Sequence, residues 1–454
     1  MPQRATRTSP FRPVQILVGS FVAMILIGTG LLMLPECRAE GESIRVLDAL
    51  FTSTSAVCVT GLAVVDTATV WTRAGQLIIL LLLQLGGIGI ITFGALFALL
   101  LGQKISFRQR ALLKEQYGQT TAVNIVQIIP VIAGTTLVIE LLGALCLLPV
   151  FVPKFGTAEG VWHSIFQAVS AFCNCGLSTF SDSLEPYVGD WWLNLVICGL
   201  IVLGGLGFPV IAELLEHRGR RRRYSLHTRV VLWTSGILIV AGALLFFIIE
   251  SWYDPSFLEL PFRARVLASF FQSVTARTAG FNTVRIGAIA PASVLLLQVL
   301  MFIGGSPSGT AGGIKTTTFA ASLAAVKSVF TGQADTRLLD RRLARDTVKR
   351  ALVLAMLAAM VVGLGHFLML MAADPAAGSG LTSCRFLELG FETMSAFGTV
   401  GLSTGITPEL TSGQKIVIIL MMLIGRLGPM TFALAFARPR REQIRFPETD
   451  LLTG

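Results

Sequence analysis

The chain has 454 residues, 53% of them hydrophobic and only 14% charged, with a mean hydropathy of +0.73. That balance excludes a soluble globular protein and describes a polytopic membrane protein. The net charge of +10 is unevenly placed: Arg4, Arg7 and Arg12, Lys104 to Lys114, Arg218 to Arg229, Lys327 to Arg350 and Arg438 to Arg445 fall in alternate polar segments, which puts those segments and both termini in the cytoplasm. The intervening segments carry acidic residues such as Glu36, Asp66, Asp182, Glu185, Asp254 and Asp374 and face outside. The run Arg220–Arg223 would also suit nucleic acid, but topology accounts for every basic cluster at once, so no nucleic-acid partner is expected.

After a polar arm (1–13), residues 14–34 form the first spanning helix; the run exceeds a signal-peptide core and no small-residue cleavage site follows it. Residues 48–57 are too short to span and read as a half-depth pore helix, and 77–101 return to the cytoplasm. The same helix, short helix, loop, helix unit recurs as 125–148, 162–172 and 191–215, as 230–249, 264–276 and 292 onward, and as 351–371, 387–397 and 416–436. The units are delimited at 14–101, 122–215, 228–330 and 346–437, with a cytoplasmic tail at 438–454. Each begins and ends inside, so the expected fold is all-α: four parallel repeats, eight transmembrane helices plus four pore helices, around one central pore with pseudo-fourfold symmetry.

The loop of each unit carries the candidate site. It reads Val57, Cys58, Val59, Thr60, Gly61 in the first unit and Cys173, Asn174, Cys175, Gly176 in the second. The third has Arg277, Thr278, Ala279, Gly280 and the fourth Gly398, Thr399, Val400, Gly401. A cation entering a narrow pore must replace its water, and inward backbone carbonyls do so without fixed charge. Glycine permits the backbone angles and close approach that this needs. The carbonyls of Val59, Thr60, Asn174, Cys175, Thr278, Ala279, Thr399 and Val400 are therefore the expected ion ligands. A guanidinium in the ion path would block it, so Arg277 should point behind its loop, with Glu140 or Glu392 as partner.

The second helices share a further motif: Gly86-Gly87-Ile88-Gly89, Gly204-Gly205-Leu206-Gly207, Gly304-Gly305-Ser306-Pro307 and Gly425-Arg426-Leu427-Gly428. All lie inward of the loops at similar depth, and the fourth has arginine where the others have glycine. A mid-span arginine is costly and faces protein or a water cavity; here it would be a barrier beneath a cation filter. At that depth the third unit becomes irregular over 304–318, which is tolerated in a membrane only where it lines a cavity or is buried in protein. Gly304, Gly305, Ser306, Gly309, Thr310, Gly312, Gly313, Lys315 and Arg426 are the expected gate.

Seven cysteines, including Cys173 and Cys175, show no disulfide framework or zinc spacing, and the four histidines make no cluster. No nucleotide-binding fingerprint occurs. An enzyme is not expected. The rival reading is an ion-coupled secondary transporter of sodium or of potassium and protons; it would need paired intramembrane carboxylates or broken helices in symmetric repeats, and only the third unit reads as broken.

The stretches Ser55 to Leu62, Gln272 to Asn282, Gly304 to Pro307, Thr310 to Thr316 and Gly425 to Pro429 resemble the membrane subunit of the Trk/Ktr/HKT superfamily of potassium transporters, over nearly the whole chain. The layout without an extra helix pair looks more like the Ktr branch. The resemblance implies filter glycines at Gly61, Gly176, Gly280 and Gly401, a gating loop at 304–318 and a pore-obstructing arginine at Arg426. It also implies potassium rather than sodium, because sodium-preferring relatives have serine at the position of Gly61. It further implies a homodimer in a prokaryotic plasma membrane, a cytoplasmic ring of RCK (KTN) subunits that carries the nucleotide (ATP, ADP or NAD), and sodium dependence in many members. Cys173-Asn174-Cys175 departs from the usual asparagine and alanine of the second loop.

Overall fold

The computed structural model describes residues 13–89, 92, 93, 95, 96, 99, 125–217, 224–373 and 383–436. The arm before Pro13, the tail 438–454, the basic clusters Lys104 to Lys114 and Arg218 to Arg223, and Asp374 lie outside them. The first unit is built from α1 (Pro13–Leu32), α2 (Val46–Val57) and α3 (Arg73–Ile88). The second has α4 (Ile125–Phe155), α5 (Thr157–Phe172), α6 (Trp191–Leu206) and α7 (Phe208–His217). The third has α8 (Leu226–Tyr253), the short α9 (Pro255–Glu259), α10 (Phe262–Thr275), α11 (Pro291–Phe302) and α12 (Thr316–Phe330). A two-residue hairpin, β1 (Arg337–Leu338) with β2 (Arg341–Arg342), leads to the fourth: α13 (Arg345–Met371), α14 (Ser383–Gly398), α15 (Ser412–Leu427) and α16 (Pro429–Phe436).

Helices α1, α4, α8 and α13 contain the stretches long and apolar enough to cross a membrane. Their large apolar side chains point away from the protein: Leu26 and Ile27 on α1, Leu137 and Leu141 on α4, Trp233 and Val240 on α8, and Met356 and Met360 on α13 are all more than half exposed. Water would not tolerate apolar faces of that extent, whereas hydrocarbon does. The pore helices α2, α5, α10 and α14 are packed inside this shell, so their polar groups must find protein partners. Ser53 donates to Ile25 O at 2.8 Å and Ser273 to Ile239 O at 2.7 Å. Glycines make room for these hydroxyls: a Cβ on Gly28 would run into Ser53 Oγ, and one on Gly242 into Ser273 Oγ.

The second helix of each unit starts at a local signal. Thr72, Asp190 and Thr411 cap α3, α6 and α15 by accepting from Gly75 N, Leu193 N and Gln414 N, and Thr411 and Gln414 form a full capping box. The third unit lacks such a residue. It opens α11 on Pro291, and Glu250 of α8 accepts from Ala290 N at 3.2 Å.

The expectation of continuous second helices outside the third unit is overturned. The last glycine of the recurring motif adopts φ values of 94° at Gly89, 89° at Gly207 and 84° at Gly428, and each of these ends its helix. The chain then turns by 102° between α6 and α7 and by 100° between α15 and α16. A left-handed residue stops the helical ladder, and a run of high hydropathy carries no sign of it. Among the described residues four helices are therefore long and apolar enough to span, or six if each bent pair counts as one, rather than eight unbroken ones.

Gly28→Val should overpack the seam between α1 and α2 and destabilise the protein by about 1–3 kcal/mol, whereas a Cβ at Gly30 meets nothing within 4 Å and Gly30→Val should leave stability unchanged. Thermal unfolding of the two detergent-solubilised variants checks this; equal melting curves would refute the packing argument.

Candidate functional site

The four loops share one backbone recipe. The residue two before each closing glycine has positive φ: Val59 at 56°, Asn174 at 57°, Thr278 at 81° and Thr399 at 49°. The glycines follow at 91°, 80°, 79° and 92° for Gly61, Gly176, Gly280 and Gly401. Valine and threonine rarely adopt such angles, and each costs on the order of 1–3 kcal/mol.

One amide of each loop is tied back to the end of the short helix before it. Thr60 N donates to Ser55 O at 2.8 Å, Cys175 N to Ser170 O at 2.9 Å, Ala279 N to Thr275 O at 2.9 Å and Val400 N to Ser395 O at 2.9 Å. Side-chain hydroxyls complete the clamp. Ser55 and Ser395 accept from Gly61 N and Gly401 N at 3.0 Å, while Ser170 and Thr275 donate to Leu177 O at 2.7 Å and Phe281 O at 2.6 Å. None of these hydroxyls is among the expected site residues; their recurrence six residues before the glycine in three units and five before it in the third is the signal that could have identified the clamp.

The glycines meet in a closed cycle. A Cβ on Gly61 would strike Cys175 O, one on Gly176 Ala279 O, one on Gly280 Val400 O, and one on Gly401 Thr60 O. Each struck carbonyl immediately precedes the next unit's glycine, so the order runs first, second, third, fourth and back to the first. Cys175 O lies only 3.2 Å from the Cβ positions of both Gly280 and Gly401. All four glycines line one cavity of about 380 Å³ on the outer side, shared with Asp66, Glu185 and Asn282.

On the inner side the motif glycines pack against the loops. Gly86, Gly204 and Gly425 lie against the carbonyls of Val57, Phe172 and Phe397, and Gly87 lies against Cys173. The irregular segment of the third unit crosses here. Ser306 N donates to Gly205 O at 2.9 Å, and Thr310 donates its amide to Gly204 O and its hydroxyl to Phe172 O, both at 3.3 Å. Phe208 N, freed by the bend at Gly207, donates to Ser308 O at 3.2 Å. Within the segment, Ile314 N donates to Phe302 O at 3.2 Å, Thr316 N to Gly305 O at 3.0 Å, and Lys315 Nζ to Ala311 O at 2.5 Å. Gly312 lies against Thr399 of the fourth loop.

Arg426 joins these pieces by donating to Thr310 O and to Gly86 O, with Gly87 O at 3.5 Å. Gly86 and Gly87 are in the last turn of α3, whose carbonyls sit at the negative end of the dipole. The guanidinium is thus held by the carbonyls of a helix end.

Arg277 does point behind its loop, but to neither expected carboxylate. It donates to Ser235 O at 3.2 Å and Ser235 Oγ at 3.1 Å on α8. Glu140 instead accepts from Gln84 at 2.9 Å, near the Cys173 thiol, and Glu392 accepts from Ser403, Thr404 N and Thr407. A buried guanidinium needs acceptors, and a carbonyl with a hydroxyl serves where a carboxylate is out of reach. Cys58, Cys173 and Cys175 are free and buried, and among the described residues no group of three His, Cys, Asp or Glu is placed to hold a metal ion.

The family model for TrkH, a cation transport protein, matches residues 4–444. The chain belongs to the TrkH cation transport family. It is 40% identical over 445 residues to the Ktr system potassium uptake protein B of Bacillus subtilis, covering 98% of this chain and 97% of that protein. It is 38% identical over 445 residues to the potassium/sodium uptake protein NtpJ of Enterococcus hirae, covering 97% of each. Its fold is similar to the crystal structure of the potassium transporter TrkH from Vibrio parahaemolyticus, with a TM-score of 0.72 at 19% identity over 96% of this chain and 87% of that one. The chain is accordingly a membrane cation transport protein and not an enzyme.

Gly176→Ala should cut cation flux by at least about tenfold while the protein still inserts, because the Cβ has to displace backbone of the third loop at a left-handed position. Flux into liposomes checks this; wild-type flux in the variant would mean that the four backbones do not meet as described.

Proposed function

We propose that this protein takes up potassium through a gated, channel-like pore whose selectivity filter is the ring closed by Gly61, Gly176, Gly280 and Gly401. The single observation that carries the reading is that ring: four backbones in contact, amides tied back, carbonyls left over. Its ligands are the carbonyls of Val59, Thr60, Asn174, Cys175, Thr278, Ala279, Thr399 and Val400, which offer oxygen at fixed spacing without fixed charge. The four units are the parallel repeats around that one pore. Potassium, named in the relatives' descriptions, moves inward down its electrochemical gradient; sodium, named for NtpJ, is a second ion that the ring could admit.

The segment 304–318 and Arg426 form the gate beneath the ring. Their hydrogen bonds to the ends of α3 and α6 hold the path shut, and opening requires Arg426 to leave Thr310 and Gly86. The protein works as a homodimer in a prokaryotic plasma membrane, both termini cytoplasmic, with a cytoplasmic RCK subunit ring that binds the regulatory nucleotide.

Breaks at matching depth in several units are also what a coupled secondary transporter would need. The two readings separate in one experiment. Rubidium or potassium flux into liposomes should be selective in the wild type and rise several-fold in Arg426→Ala without any second ion gradient. Flux that requires a sodium or proton gradient favours the coupled transporter, and absence of selective flux in folded, inserted protein removes the pore.

A further inference from the structure

Three residues before the clamping hydroxyl, the four pore helices carry Thr52, Gln167, Gln272 and Glu392, all buried. Their partners differ. Thr52 donates back to its own helix at Asp48 O, 2.9 Å away. Gln167 donates to Ser178 Oγ at 2.7 Å, two residues beyond Gly176. The amide of Gln272 meets no hydrogen-bond partner among the described residues. Glu392 is fully buried and accepts three bonds, from Ser403 Oγ at 2.6 Å, Thr404 N at 3.1 Å and Thr407 Oγ1 at 2.8 Å. Ser403 is again two residues beyond the glycine, and it also bonds Thr407 at 2.8 Å and accepts from Gly405 N at 2.9 Å.

The donors to Glu392 are themselves lining groups. Ser403, Thr404 and Thr407 face the outer cavity together with the four glycines. Thr404 O lies where a Cβ on Gly287 of the third unit would be, so the segment that Glu392 holds also braces the neighbouring unit. One carboxylate therefore fixes the chain just beyond Gly401 and orients two hydroxyl dipoles and an amide with their positive ends toward itself, and Ser403 Oγ passes the order on by accepting from Gly405 N. Its equivalents in the other units carry no charge.

We propose that Glu392 is a positioning residue for ion selection: it sets the fourth strand of the ring and makes the cavity mouth more attractive to a cation. This rests on the filter reading above. The removal of its acceptors should loosen one strand out of four, so that the ring discriminates less between ions of different size, while removal of charge alone should weaken capture.

The test is rubidium and sodium uptake into liposomes holding the full-length protein, for wild type, Glu392→Ala, Glu392→Gln and Thr407→Val. Expected are a roughly tenfold loss of rubidium over sodium preference in Glu392→Ala, a smaller loss in Thr407→Val, and in Glu392→Gln a several-fold higher half-saturating rubidium concentration at near-normal maximal rate. Thr407→Val preserves shape and buries no new polar group, so it reports even if Glu392→Ala fails to fold. Unchanged preference and half-saturation in Glu392→Gln and Thr407→Val would overturn the proposal, as would a fall in maximal rate alone, which is what a purely structural role would give. A wild type without selective flux would instead bring down the filter reading, and this one with it.

Discussion

Four peptide backbones touch one another at Gly61, Gly176, Gly280 and Gly401, with no room for a side chain between them. Every other feature serves that approach. Backbone polar groups packed so tightly cannot all be hydrated, so the amides must be satisfied from behind, and the ends of the four pore helices do it. With those amides spent, the carbonyls of Thr60, Cys175, Ala279 and Val400 are what each loop presents to its neighbour's glycine. The cost is backbone strain at Val59, Asn174, Thr278 and Thr399, affordable because the surrounding helices over-determine the loops.

The region beneath the ring follows from a second accounting of backbone groups. Helices that end inside a membrane leave orphan carbonyls and amides that cost several kcal/mol each if unpaired. The bends at Gly207 and Gly428 and the end of α3 at Gly89 create such groups, and the irregular segment of the third unit brings others. They satisfy one another: Ser306 and Thr310 donate to α6, Phe208 donates to Ser308, and Arg426 donates both to the end of α3 and to Thr310. Arg426 is thereby tied at once to the end of α3 and to the irregular segment, which is the linkage that the proposed gate uses.

Much of this was legible because it rests on residue types with few substitutes. Left-handed angles and backbone contact call for glycine, so the ring and the inner motif were visible as spaced glycines, and the irregular segment 304–318 was visible as an interruption of hydropathy. The bends at Gly207 and Gly428 were not, because hydropathy registers burial and not direction, and Leu206 to Pro209 reads as uninterrupted apolar sequence. The partner of Arg277 was also hidden. Charge complementarity points to Glu140 or Glu392, but the angle of α8 brings Ser235 to the guanidinium, and helix angles leave no local trace. The clamping hydroxyls were on view in all four loops and were undervalued, since a serine beside a turn is ordinary until its amide partner is known.

The buried and half-buried charges bear on why such a ring would be made from one chain and not from four copies. Glu140 belongs to the second unit, Glu250 and Arg277 to the third, and Glu392 and Arg426 to the fourth. Fourfold repetition of Arg426 would crowd four guanidinium groups into one cross-section of low dielectric, where each repels the rest and the orphan carbonyls of α3 could hold only one. Fourfold repetition of Glu392 would stack four carboxylates around the mouth, which would bind a cation too firmly to release it. Carrying the units on one chain frees each position to be charged once. On the proposed reading, symmetry is kept where an ion would need equal oxygens on every side, at the four glycine loops, and abandoned where a single charge suffices, at Glu392 and at Arg426.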